Sequence, residues 1–144
     1  MHTVNNMPDM GESAARFDSL YQLFSRKYSL ETLDLTIADN QITIFHLPDT
    51  DQLLDELLAL GPEHEAVKDE RLPYWADIWP SSIALSQVIT EMPELISQKQ
   101  ILDLGCGVGI TGLVAKQIGG EVTITDYQED ALRLSELNWL MNTK

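Results

Sequence analysis

Apolar residues recur along this chain at two different spacings. Between residues 13 and 28, Phe17, Leu20, Tyr21, Leu23 and Phe24 fall three and four apart, which predicts a helix with Ser13 as its candidate cap. The period then drops to two. Leu33, Leu35 and Ile37 alternate with polar residues, as do Ile42, Ile44 and His46, on either side of Ala38-Asp39-Asn40-Gln41. That pattern predicts a β-hairpin. Pro48-Asp49-Thr50-Asp51 reads as a helix start, and Leu53, Leu54, Leu57, Leu58 and Leu60 form an apolar stripe closed by Gly61-Pro62. A leucine stripe at this spacing is a packing face in the first instance. Residues 1–12 are polar and read as a frayed terminus, and residues 63–70 are charged and read as a solvated linker.

The second half has a sharper pattern. Leu72-Pro73-Tyr74-Trp75-Ala76-Asp77-Ile78-Trp79-Pro80 is dense in aromatic residues and proline, and Pro80 with the serines after it opens a helix through Ile83, Leu85, Val88 and Ile89. Pro93 interrupts or follows that helix. A strand over residues 100–104 runs into Gly105-Cys106-Gly107-Val108-Gly109, and a helix follows over about residues 110–118. A second strand over residues 121–125 ends at Asp126, and a last helix covers residues 128–142. Strand, glycine turn, helix, strand and acidic tip make the first half of a nucleotide-binding βαβ unit.

Composition changes this picture in one respect. The formal net charge is −14 over 144 residues. A field of that sign repels phosphate backbones and argues against nucleic acid as a partner. It favours solubility, and it would attract a basic protein. One cysteine permits no internal disulfide. No basic-then-apolar leader and no apolar run of about 20 residues is present, so neither a signal peptide nor a membrane span is expected, and a cytoplasmic protein is the default. His2, His46 and His64 are scattered, so no metal site is expected.

The glycine turn carries the chemistry. Gly105, Gly107 and Gly109 let a ligand lie directly against the main chain, and the following helix aims its first N–H groups at that ligand. Asp126, at the end of the neighbouring strand, can accept hydrogen bonds from ribose hydroxyls. Gly107 to Gly112 also satisfies the GxGxxG pattern of nicotinamide-dependent oxidoreductases. Asp103 argues against them. It lies on the strand two residues before the first glycine, where a carboxylate repels a pyrophosphate and welcomes an ammonium. S-adenosylmethionine carries an ammonium, a sulfonium and a ribose, and the two carboxylates suit it from both ends.

Leu102-Asp103-Leu104-Gly105-Cys106-Gly107-Val108-Gly109 resembles the first motif of class I S-adenosylmethionine-dependent methyltransferases, and Asp126-Tyr127 resembles their second. Trp75 and Trp79, with Asn138 and Asn142 four apart in the last helix, resemble the protein-lysine methyltransferase branch of the methyltransferase-like 21 and electron-transfer-flavoprotein β-subunit type. The resemblance covers roughly residues 72–144. It implies an α/β fold: the N-terminal part of a Rossmann-like sheet, preceded by a helix, hairpin and helix over residues 1–71. It implies that Asp103, Gly105, Cys106, Gly107 and Gly109 hold the methionine part of the cofactor, with Cys106 as a spacer rather than a nucleophile. Asp126 would hold the ribose, Tyr127 would lie near the adenine, and Trp79 would serve as cofactor wall or core. Trp75 would belong to the core, and Tyr74 would reach toward a substrate lysine.

The family's third and fourth strands, with the residues that line the methyl-acceptor pocket, have no counterpart before Lys144, so no catalytic residue is named. The chain therefore reads as an incomplete first half of the domain, with open sheet edges through which it could self-associate. The expected function is methylation of a lysine in a protein substrate. The alternative is a non-catalytic module that binds the cofactor or a partner.

Overall fold

The computed structural model describes residues 2–4 and 10–143. Strands and helices follow in chain order: β1 (His2–Val4), α1 (Met10–Lys27), β2 (Glu31–Ile37), β3 (Asn40–His46), α2 (Asp51–Ala59), α3 (Glu65–Lys68), α4 (Pro80–Glu91), β4 (Gln100–Leu104), α5 (Ile110–Gln117), β5 (Glu121–Asp126) and α6 (Glu129–Asn142). The strands form two sheets. One has the order β1-β5-β4, and among the described residues β2 and β3 form the other.

The βαβ unit is present. β4 and β5 are parallel, with Asp103 opposite Ile124, and α5 makes the crossover. Ile101 and Asp103 turn toward the partly covered face of β4. Leu102 and Leu104 point the other way and are 61% and 65% exposed. The hairpin is also present, with Ile37 opposite Asn40. Its turn is tighter than the sequence indicates: Ala38 and Asp39 alone make it, and Ala38 takes a positive φ of 51°.

The N-terminus departs from expectation. His2–Val4 are not frayed; they pair antiparallel with residues 124–126 of β5. Met1 and residues 5–9 of the expected frayed segment lie outside the described residues. A three-residue strand is too short to show a period, and it forms because β5 offers a row of unpaired backbone groups on that side. The charged stretch after Pro62 also contains one helical turn, α3, whose first N–H groups are met by His64 Nδ1 accepting from the Ala66 amide. In α2 no residue is buried, and Leu58 and Leu60 are 57% and 52% exposed. Leu53 alone of that stripe rests against the core.

One core joins the early and late parts of the chain. Leu20 and Phe24 of α1, with Ile37, Ile42, Ile44 and Phe45 of the hairpin, pack with Val108, Ile110, Leu113 and Val114 around α5 and with Leu134, Leu137 and Leu140 of α6. Burial of each such large side chain contributes about 1.5–3 kcal/mol. The glycine turn, which supplies Val108, is thus seated on residues from both halves of the sequence.

Candidate functional site

The turn between β4 and α5 is built by backbone geometry. Gly105, Gly107 and Gly109 have φ values of 74°, 52° and 88°, in the left-handed region that a Cβ disfavours by about 1–2 kcal/mol. At two of them a side chain would also be crowded. A Cβ on Gly107 would lie 3.1 Å from the Trp75 carbonyl oxygen, and one on Gly109 would lie 2.7 Å from Ser135 Cβ. The Gly105 and Cys106 amides both donate to the Thr125 carbonyl, at 2.8 and 3.0 Å, which ties the turn to the end of β5. The Gly109 amide donates to the Cys106 carbonyl at 2.8 Å.

The two carboxylates meet at this turn. Asp126 is 7% exposed. Its Oδ2 accepts from the Gly107 amide at 3.0 Å and its Oδ1 from the Gln128 amide at 2.8 Å. Each oxygen keeps a second lone pair for a further donor. Asp103 is held differently. Its Oδ2 is sealed from solvent and has no hydrogen-bond partner among the described residues. Burial pushes Asp103 above the usual carboxylate range; the nearby backbone N–H of Gly112 offsets part of this, and the charge of Asp126 adds to it. An unpaired buried carboxylate oxygen is costly unless something cationic or donating meets it.

Both carboxylates line a cleft of about 630 Å³, within the usual range of about 300–1,000 Å³ for small-molecule sites. Trp79 is half-exposed on its wall. Its indole Nε1 donates to the Tyr74 carbonyl at 2.8 Å, and the two rings meet edge to face at 5.8 Å. Trp79 is therefore a wall and not core. Trp75 belongs to both, since it packs on the core and its backbone abuts Gly107. Tyr127 is 64% exposed, and the Arg71 guanidinium lies over its ring at 5.8 Å from the centroid.

Sequence reasoning missed Arg71. It sits beside a charged stretch that reads as solvated linker, yet it lines the cleft with Asp69 and Asp77 and pairs with Asp69 at 2.7 Å. Nothing in its immediate neighbours marks it; only Tyr127, 56 positions later, explains where it lies.

Cys106 is part-buried with its Sγ 3.5 Å from Ser135 Oγ. Burial pushes the thiol up to about 12, against a smaller opposing effect of the Ser135 contact. A thiol held protonated at neutral pH is a poor nucleophile.

The arrangement is that of an acidic, glycine-lined cleft able to hold a cationic ligand bearing hydroxyl groups. Known proteins that this chain resembles include methyltransferases. The human electron transfer flavoprotein beta subunit lysine methyltransferase is 45% identical over 47 residues, 33% of this chain and 18% of that protein. The zebrafish (Danio rerio) protein N-lysine methyltransferase METTL21A is 33% identical over 88 residues, covering 49% of this chain and 40% of its own length. The rat histone-arginine methyltransferase METTL23 is 30% identical over 56 residues, with 39% and 25% covered. The matches thus span well under half the length of these relatives. A family profile described as lysine methyltransferase matches residues 65–144, which contain the whole glycine turn, both carboxylates and all three tryptophans. With more than half of its residues inside that profile, this chain belongs to the lysine methyltransferase family.

Proposed function

We propose that this chain forms the cofactor-holding part of an S-adenosylmethionine-dependent methyltransferase that acts on a lysine side chain of a protein. The observation that carries the reading is the meeting of two carboxylates, Asp103 and Asp126, at a cleft shaped by glycines. S-adenosylmethionine supplies an ammonium for such a group, and a methyl group on a sulfonium for transfer to an amine. In this reading Asp103 receives the ammonium and Asp126 the ribose hydroxyls. The bare backbone of Gly105, Cys106, Gly107 and Gly109 lets the methionine part approach, and Trp79 and Tyr127 form apolar walls. The names of two relatives support lysine as the acceptor.

What these residues contribute is position and charge. Among the described residues, Asp69, Glu70, Asp77, Asp103 and Asp126 line the cleft against a single arginine, Arg71, so its field favours a sulfonium and an incoming basic side chain. A methyl acceptor held in line with the donor gains much of its rate from orientation alone.

Calorimetric titration of the chain with S-adenosylmethionine, with NAD as control, tests the reading. Saturable binding is expected for the cofactor and none for NAD. Asp103→Ala and Asp126→Ala should each weaken binding about tenfold or more, since a hydrogen bond to a charged group contributes about 1.5–3 kcal/mol. Affinity should also rise with pH as Asp103 ionises, because only the charged carboxylate attracts an ammonium, and its raised pKa moves that rise above the usual range near ~4. Equal binding by the variants, or binding of NAD, would end this assignment. Transfer of labelled methyl groups to lysines of an added protein tests the acceptor.

A further inference from the structure

Two asparagines four apart on α6 do something the cofactor site does not by itself explain. Asn138 is fully buried. Its Oδ1 accepts from the Phe45 amide at 2.7 Å, and its Nδ2 donates to the Phe45 carbonyl at 3.1 Å and to the Val108 carbonyl at 2.9 Å. Asn142 repeats the first half of this pattern one turn later. Its Oδ1 accepts from the Thr43 amide at 3.0 Å, and its Nδ2 donates to the Thr43 carbonyl at 2.7 Å and to the Asn138 carbonyl at 2.7 Å.

The helix period and the strand period explain the fit. Residues four apart stand one above the other on a helix, and residues two apart on a strand present their backbone groups to the same edge. Thr43 and Phe45 are such a pair on the side of β3 turned away from β2. An amide carries both a donor and an acceptor, so each asparagine closes on one strand residue as a neighbouring strand would. α6 thereby covers the free edge of the hairpin with two side chains.

Only Asn138 reaches further. The Val108 carbonyl belongs to the same peptide group as the Gly109 amide, which donates to Cys106. That peptide is therefore held at both ends, by Asn138 on one side and by the turn itself on the other. Ser135, three residues before Asn138, abuts Gly109 from the same helix. The Val108–Gly109 peptide cannot rotate without breaking the Asn138 bond in a region closed to water.

We infer that Asn138 is a positioning residue through which the β2–β3 hairpin holds the Cys106–Gly109 turn in the form that receives the cofactor. The inference rests on the turn being the cofactor cradle. It extends the site to residues 40–46, which lie outside the stretch matched by the family profile. Asn142 provides the comparison, because it binds the same hairpin edge and does not touch the turn.

The experiment uses the whole chain with Asn138→Asp, Asn138→Ala or Asn142→Ala. Asn138→Asp keeps the acceptor for the Phe45 amide and, as a carboxylate, loses the donor to the Val108 and Phe45 carbonyls. Two readouts are taken. The first is the affinity for S-adenosylmethionine. Both Asn138 variants should lose about tenfold, in the range expected when a coupled position is removed, and Asn142→Ala should stay within about twofold of the parent even if its melting temperature falls. The second is amide hydrogen exchange without ligand. Exchange at Gly109 should accelerate in the Asn138 variants relative to Leu134 and Leu137, and not in Asn142→Ala.

The native chain supplies a third comparison that needs no variant. Under mild denaturant the Phe45 and Gly109 amides should open with one common free energy, as members of a single cooperative unit. Equal losses of affinity in Asn138→Asp and Asn142→Ala, or Gly109 opening independently of Phe45, overturns the inference. If the parent chain binds no S-adenosylmethionine, the cofactor assignment falls, and the exchange measurements still decide whether the hairpin holds the turn.

Discussion

Gly109 shows how much one residue can be asked to do. It takes a left-handed φ of 88°, lies against Ser135 with no room for a methyl group, and starts α5. Gly109→Ala should therefore combine the left-handed penalty of about 1–2 kcal/mol with an overpacking penalty of about 1–3 kcal/mol. The expected outcome is a loss of about 2–5 kcal/mol in chemical unfolding. A change below about 0.5 kcal/mol, the usual size for an indifferent site, would show that the turn is looser than its geometry. Glycine spacing was legible in the sequence because it is local. The reason for this particular glycine was not, since Ser135 is 26 positions away. The same holds for Asp103. Its place before the glycines marked it as an anchor, and only the packing of its Oδ2 against Gly112 of α5 shows how it is held.

Elements dock through side chains that periodicity does not display. Polar contacts fix α1 to α6. Arg16 makes a two-pronged pair with Glu136, each bond 2.7 Å, with the arginine half-exposed and the carboxylate mostly covered. Lys27 Nζ and Tyr28 OH both donate to Asp130 Oδ2, at 2.5 and 2.6 Å. Tyr28 also meets Trp75 edge to face at 6.2 Å, so this cluster reaches the wall of the cleft.

Burial, with the bond to Asp130, pushes the Tyr28 phenol up to about 12. A folded pKa above the unfolded value means that the contribution is complete below about 10 and is lost as pH rises from there toward 12. Asp130 is shifted the opposite way. Burial raises it, but the hydrogen bonds from Lys27 and Tyr28 together hold it below its usual value. Its contribution is present above about 4 and fades as pH falls below that. Tyr28→Phe should thus be less stable than the parent near neutrality by about 0.5–1.5 kcal/mol, the usual worth of a hydrogen bond. The difference should shrink above pH ~10, where the parent phenol begins to ionise. Unfolding curves at several pH values measure it; a gap that stays constant to pH ~12 would show that the phenol does not titrate with folding.

At the scale of the molecule, two features oppose each other. β4 pairs only with β5 among the described residues, and Leu102 and Leu104 stand exposed on it. An open edge of this kind is a template for another strand. The net charge of −14 keeps copies apart. Salt should decide between them, since the screening length falls from about 8 Å at 0.15 M to about 3 Å at 1 M. Sedimentation velocity should show mass rising with salt, and Leu102→Lys with Leu104→Lys should hold the chain monomeric. A monomer at every salt concentration would show that the edge is not adhesive.

By itself the sequence determined the glycine turn, its two carboxylates and, apart from α3, the helices and strands between residues 13 and 142, because these follow from periods of two and 3.6 residues and from backbone freedom within a few positions. It also carried the family, through motifs only a few residues long. Tertiary structure alone decided that His2–Val4 add a strand to β5, that the leucines of α2 stay largely unburied, that Arg71 lies over Tyr127, and that Asn138 joins the hairpin to the glycine turn. Each of these depends on which groups meet across dozens of residues. Periodicity shows which face of an element is apolar or polar, but not which distant backbone group will satisfy it once the chain has closed.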